Sequence, residues 1–230
     1  DLLYNRMPGT VWGANEEFVS SPKLDDLQCA FGTMMGLIEA QDIRNVAICC
    51  VLDNEEVGSG TKQGAASTFL KDTIERIQLG MHREEPLSML LSSSFMVSAD
   101  NAHAVHPNYA DVSDPTNRPF INGGIVIKAS ANQKYTTDGI AAAMCKNICD
   151  KAKVPYQTFL NRSDMLGGST LGNISNTMLP LNTVDIGLPQ LAMHSSYETA
   201  GVADTAYLVD FAKCMYEAVE NTEKDGVYTI

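Results

Sequence analysis

Apolar and polar positions along the chain switch between two periods. Residues 46–52 are seven apolar positions in a row, Val-Ala-Ile-Cys-Cys-Val-Leu. Such a run predicts a strand buried on both faces, central in an α/β sheet. From Leu27 to Ala40 the apolar residues Leu27, Ala30, Phe31, Met34, Met35, Leu37 and Ile38 recur at helical spacing, which predicts an amphipathic helix packed on the sheet. The same period predicts helices over 65–79, over 139–152 with Thr137 and Asp138 as caps, and over 203–219. Short β-type runs lie at 94–99, 125–128, 158–160 and 184–188. Residues 1–21 are turn-rich, carry Trp12, and resemble a strand pair or linker; residues 221–230 read as a polar tail. Strands and helices alternate throughout, so the fold class is α/β: a three-layer α/β/α sandwich with a mostly parallel mixed sheet.

A length of 230 residues, 44% of them hydrophobic, fits one large domain with a substantial core. Net charge is −12, from 28 Asp and Glu against 16 Lys and Arg, which argues against nucleic acid or an anionic membrane as partner. The six cysteines form no Cys-x-x-Cys pair and read as small buried apolar residues in a reducing cytoplasm. No apolar run approaches the roughly 20 residues of a membrane span. No signal peptide is evident. The first residue is Asp1, not Met, and we expect a fragment or a processed form.

The apolar run at 46–52 ends at Asp53-Asn54-Glu55-Glu56, where open α/β sheets keep their chemistry. Gly58, Ser59 and Gly60 permit a tight turn there. Glu55 and Glu56 would repel unless a cation sits beside them; a metal with one Glu as ligand and the other as general base meets that need, and a solvated strand-end loop is the plain alternative. Asp25 and Asp26 open the first helix, where dipole capping is the simple reading. Asp100 ends the run at 94–99 and is followed by His103 and His106, a clustering that raises the case for a metal or catalytic site over polar loop histidines. His194 lies in the loop Met193–Glu198. The glycine-rich loop 162–170 lacks the spacing of a phosphate-binding loop. Asp25, Glu55, Glu56, Asp100 and His194 thus lie on four separate loops, as oxygen and nitrogen donors suited to zinc, cobalt or manganese.

The segments Leu24-Asp25-Asp26-Leu27, Asp53-Asn54-Glu55-Glu56-Val57-Gly58-Ser59, Ser98-Ala99-Asp100-Asn101-Ala102-His103-Ala104-Val105-His106-Pro107-Asn108-Tyr109 and His194-Ser195-Ser196-Tyr197-Glu198 resemble, in order and spacing, the M18 family of metallo-aminopeptidases, the aspartyl aminopeptidase group. The resemblance implies that Asp25 bridges two divalent metals, that Glu56 and His194 complete one site, and that Asp100 binds the other metal. It implies Glu55 as general base and His106 and Lys128 as substrate-pocket positions, although Lys128 also reads as a surface strand-end lysine. His103 and the 164–170 loop would shape the site, and His82 would have no role. Zinc is the first choice of metal. The substrate would be a peptide with an acidic N-terminal residue, and the assembly a homo-oligomer.

One departure qualifies this. The family draws a further metal-ligand histidine and a dimerisation domain from sequence ahead of the Leu-Asp-Asp segment, and no histidine precedes His82. Residues 1–230 are therefore expected to be the C-terminal portion of a catalytic domain, with a sheet incomplete on its N-terminal side and a second metal site short of one ligand. The alternative is a truncated, catalytically impaired member that keeps the fold and its oligomer contacts.

Overall fold

The computed structural model describes residues 3–219, 221–224 and 227–229. Along the chain come β1 (Thr10–Trp12), β2 (Phe18–Ser21), α1 (Leu24–Glu39), α2 (Phe69–Gly80), α3 (Leu87–Ser92), β3 (Phe95–Ala99), β4 (Ala102–His103), β5 (Ile125–Ala129), α4 (Gly139–Ala152), β6 (Tyr156–Leu160), α5 (Leu171–Ser175), β7 (Asn182–Gly187), β8 (Pro189–Leu191), β9 (Glu198–Gly201), α6 (Val202–Glu217), β10 (Asn221–Lys224) and β11 (Val227–Thr229). The α/β class holds. The main sheet is divided in two, four strands in the order β3-β7-β5-β6 and five in the order β1-β2-β9-β8-β4, with β10 and β11 a separate antiparallel pair. In the first, β3–β7 and β5–β6 are parallel and β5–β7 is antiparallel. In the second only β4–β8 is parallel. The sheets meet where β3 runs through Asp100 and Asn101 into β4 and β7 runs through Leu188 into β8. Asp100 and Ala102 keep the ladder going there, donating to the Ile186 and Leu188 carbonyls.

Strand alternation sorts the faces of the four-stranded sheet. Ile125, Ile127, Val184 and Ile186 point into the main core, against Cys29 of α1, Cys145, Ile148 and Cys149 of α4, and Leu208 and Phe211 of α6. Ser98, Lys128 and Asp185 occupy the other face and are buried as well. Asp185 is satisfied there by the Thr136 amide and the Thr170 hydroxyl. The α4 helix forms where its pattern placed it because Asp138 accepts from the Ala141 amide at 2.8 Å, an N-cap. The α2 helix begins four residues later than its apolar pattern suggested. Ser67 bonds its hydroxyl to the Gly64 carbonyl and accepts from the Phe69 amide, a local turn that competes with helix.

Two expectations are corrected. Residues 46–52 form no strand: they are not paired with any described strand, and Val46 and Val51 are more than half exposed. The segment runs beside α1 and the end of α6, tied by the Asn45 side chain to the Tyr216 and Ala218 carbonyls. An apolar run becomes a strand only where a neighbour offers a ladder. The face of α1 that packs is also not the large apolar one. Leu27, Phe31, Met34 and Ile38 point outward, whereas Gln28, Cys29, Gly32 and Gly36 are buried, with Gly32 and Gly36 against α6. The two glycines let the helices approach closely: a Cβ on Gly36 would lie 2.5 Å from the Ala212 Cβ and 2.7 Å from the Lys213 nitrogen. Gly36→Ala should therefore destabilise the fold by about 1–3 kcal/mol, read as a lower urea midpoint with unchanged slope. An unchanged midpoint would show that α1 and α6 are not in this contact.

Candidate metal centre

The centre forms where the start of α1, the turn after residue 53, the β3–β4 junction and the loop before β9 meet. Asp25 and Asp26 have non-helical backbone angles, so the helix proper starts after them. They do not act as simple caps. The Asp25 amide donates to Glu198 Oε2 at 2.9 Å, and Asp26 Oδ1 accepts from the Asn101 amide at 3.1 Å. Asn101 is buried and fully used: its side-chain amide donates to the Leu24 carbonyl, Gln28 and Gln190, and its oxygen accepts from the Cys29 thiol.

Glu55 and Glu56 sit in a single 3-10 turn, Glu55–Val57, between Asn54 and Gly58, both left-handed. Gly58 has φ +97°, a conformation L side chains rarely adopt, so a glycine suits the position. Asp53 clasps the turn by accepting from the Asn54 amide and the Gln63 side chain, and the Asp53 amide returns to the Gln63 carbonyl. His194 is also left-handed, at φ +65°, and its amide donates to Glu198 Oε1 at 2.7 Å.

These supports bring the side chains together. His194 Nε2 lies 3.1 Å from Asp25 Oδ2 and 3.3 Å from Glu56 Oε2. The ligand atoms of Asp25, Glu56 and His194 all fall within 4.8 Å of one another, as do those of Asp25, Asp26 and Asp100. Behind Asp100, Lys128 is 3% exposed, with its ammonium 3.7 Å from Asp100 Oδ2 and donating to the Asn101 carbonyl at 2.8 Å. Burial alone would lower the Lys128 pKa; Asp100, with Tyr135 and Asp185, outweighs it and holds the pKa above its ordinary value.

The electrostatics are those of too many carboxylates for one lysine. Burial first, then the Asp100 and Glu56 charges, push the Asp25 pKa from 3.8 to about 8. Burial and Asp100 also raise Asp26, and the same two causes with Glu56 raise Glu55. Asp25 Oδ1 is buried without a hydrogen-bond partner. A carboxylate amid like charges, with one oxygen orphaned and the other 3.1 Å from an imidazole nitrogen, belongs to a donor set that fits a divalent cation.

Of the residues picked from sequence, Asp25, Glu56, Asp100 and His194 converge, with Glu55 beside Glu56. Lys128 lies under the centre, not at the surface. His106 Nδ1 accepts from the Asn108 amide and its ring lies tilted against Tyr109, within its own turn. His103 is on β4 and exposed. His82 is exposed, and the 164–169 stretch is largely so, with Arg162 paired to Asp164. Asp26, Asn101 and Glu198 were missed as parts of the centre. Asp26 was masked by its place at a helix start, and the other two act through bonds to residues far away in sequence.

A model of the Aminopeptidase I zinc metalloprotease family (M18) matches residues 2–216. The chain belongs to the M18 family. It is 46% identical over 216 residues to a probable M18 family aminopeptidase 2 of Clostridium novyi, covering 94% of this chain and 50% of that protein. It thus spans about half the length of the relatives it matches. Among solved structures it resembles a chain of the Ape4 and Nbr1 complex (TM-score 0.87, 38% identity, 93% of this chain and 42% of that one). It also resembles the S. cerevesiae mApe1 dodecamer (TM-score 0.81, 27% identity, 93% and 49%). The family is one of zinc metallo-aminopeptidases, which are hydrolases. Among the described residues no helix is long and apolar enough to cross a membrane.

The Asp25 shift sets a pH dependence. A carboxylate raised from 3.8 to about 8 in the fold contributes stability that is complete below about pH 3.8 and is lost as pH rises through 8. Chelator-stripped protein should therefore melt lower at pH 8 than at pH 5 on this account, and added zinc, which binds the ionised ligands, should raise the melting temperature more at pH 8. Equal zinc effects at both pH values would contradict the assignment of Asp25.

Proposed function

We propose that this chain is the catalytic portion of a zinc aminopeptidase that removes N-terminal residues, preferentially acidic ones, from peptides. The observation that carries the reading is the convergence of Asp25, Glu56 and His194 with Glu55 adjacent and Asp100 across Asp25. Asp25 would bridge two metals, Glu56 and His194 would complete one site, and Asp100 would serve the other. Bound zinc supplies Lewis acidity, polarising the scissile carbonyl and acidifying water.

The chain's own groups account for the proton traffic. Glu55, with its pKa raised by burial and neighbouring charge, is suited to take a proton from the attacking water and return it to the leaving amine. Lys128 and His106 are the candidates for substrate contact. The Lys128 ammonium is buried, donates to the Asn101 carbonyl and pairs with Asp100 at 3.7 Å, so an acidic side chain would have to reach it beneath the centre and use its remaining donors. A homo-oligomer fits the dodecamer named for mApe1, and a cytoplasmic setting fits six free cysteines.

A second reading has one observation in its favour. The residues that would hold a second metal, Asp25, Asp26 and Asp100, are carboxylates only, and Asp26 Oδ1 is already engaged by Asn101. A member impaired in turnover would bind zinc at the first site and hydrolyse nothing.

Release of chromophore from aspartyl, glutamyl and leucyl substrates separates the two. The enzyme reading expects hydrolysis that falls about 10²–10⁴-fold in Glu55→Gln, the range for loss of a general base, with zinc retained. Asp25→Asn should cost more activity than His103→Ala. Hydrolysis indifferent to Glu55→Gln, or equal effects of the latter two, would contradict these roles; zinc bound without hydrolysis would favour the impaired member.

A further inference from the structure

Glu198 is a buried carboxylate that no part of the proposed chemistry uses. It is 2% exposed and opens β9, opposite Ser21 of β2, the strand that leads into Asp25. Its two oxygens divide between two backbone amides. Oε2 accepts from Asp25 at 2.9 Å and Oε1 from His194 at 2.7 Å. One side chain thus spans the main chain of two candidate ligands from opposite ends of the sequence.

Two further features give this bridge a direction. His194 is held at φ +65°, and Ala192 two residues before it at +57°, conformations that cost a non-glycine residue free energy and persist where the surroundings impose them. The bond from the His194 amide to Glu198 is such a constraint. Glu198 also adds a buried negative charge beside Asp25, which already faces Asp100 and Glu56. That charge adds to the repulsion at Asp25, which a cation held by Asp25 and His194 would offset.

We propose that Glu198 is a positioning residue for the metal centre: by accepting from both backbone amides it fixes Asp25 and His194 in the geometry that binds zinc. This rests on the reading of Asp25, Glu56 and His194 as a zinc site. The competing account is that Glu198 merely satisfies two buried amides. The protein contains a matched case of that kind. Asp204, fully buried, accepts from the Asn122 amide at 2.7 Å and the Gly124 amide at 2.9 Å, and neither residue belongs to the centre.

The test compares Glu198→Gln with Asp204→Asn, using cobalt(II) as a spectroscopic probe and chelator competition for zinc affinity. Glu198→Gln should alter the cobalt d–d absorption and weaken zinc about 10–100-fold, the usual cost of losing a group that orients ligands. Asp204→Asn should lower the melting temperature and leave both readings unchanged. Glu198→Asp, which keeps the charge but is too short to reach both amides, should also alter the spectrum and serves if the Gln variant does not fold. A folded Glu198 variant with the unsubstituted spectrum and affinity overturns the proposal, as does the same loss in Asp204→Asn. If the unsubstituted chain gives no cobalt spectrum, the zinc reading itself falls, and this role with it.

Discussion

Asn101 ties the amino end of α1 to the carboxyl end of β3. Its amide meets Asp26, its side chain meets Leu24, Gln28, Cys29 and Gln190, and its carbonyl accepts from Lys128. That knot forces Asp25, Asp26 and Asp100 into one half-buried space. Buried like charges repel strongly at low dielectric, and Lys128 offsets only part of the excess. The raised pKa values of Asp25, Asp26 and Glu55 are the same imbalance seen as proton affinity. A divalent cation held there would offset it, and the Asp25 oxygen left without a partner is a free donor for one.

The fold supports this junction at some distance. One face of the four-stranded sheet carries the apolar core with α1, α4 and α6. The other carries Ser98, Lys128 and Asp185, and Lys128 reaches the centre from the sheet, at Asp100 and Asn101, and not from a loop. The close passage of α1 over α6 at Gly32 and Gly36 sets where the α1 start falls relative to β9. His194 and Glu198 come from the segment just before α6, which places them over that start.

Much of this was legible in the sequence, for reasons that differ by element. The α4 helix carries its own period and its own cap, so local information suffices. Asp25, Glu56, Asp100 and His194 sit in distinctive local segments, and the resemblance of those segments to the M18 family is what implied their convergence without a structure. Residues 46–52 show the opposite case. Their apolarity reports a preference for leaving water, but a strand is a relation between two segments, and no described strand pairs with them. The outward stripe of α1 fails for a similar reason: size favours Leu27 and Phe31 for the core, but helix–helix approach selected the glycines. Lys128 read equally as a surface or a pocket residue because one strand position carries no measure of depth. Glu198 was invisible because one partner, Asp25, lies 173 residues away and both of its bonds are to backbone amides, which carry no side-chain signal.

The central claim is that Asp25, Glu56 and His194 hold a metal. Zinc content per chain, by elemental analysis after dialysis against trace zinc, tests it most directly. The account predicts at least one tightly held zinc in the unsubstituted chain and its loss in Asp25→Asn. A folded chain that retains no zinc, or an Asp25→Asn variant that retains as much, would contradict it.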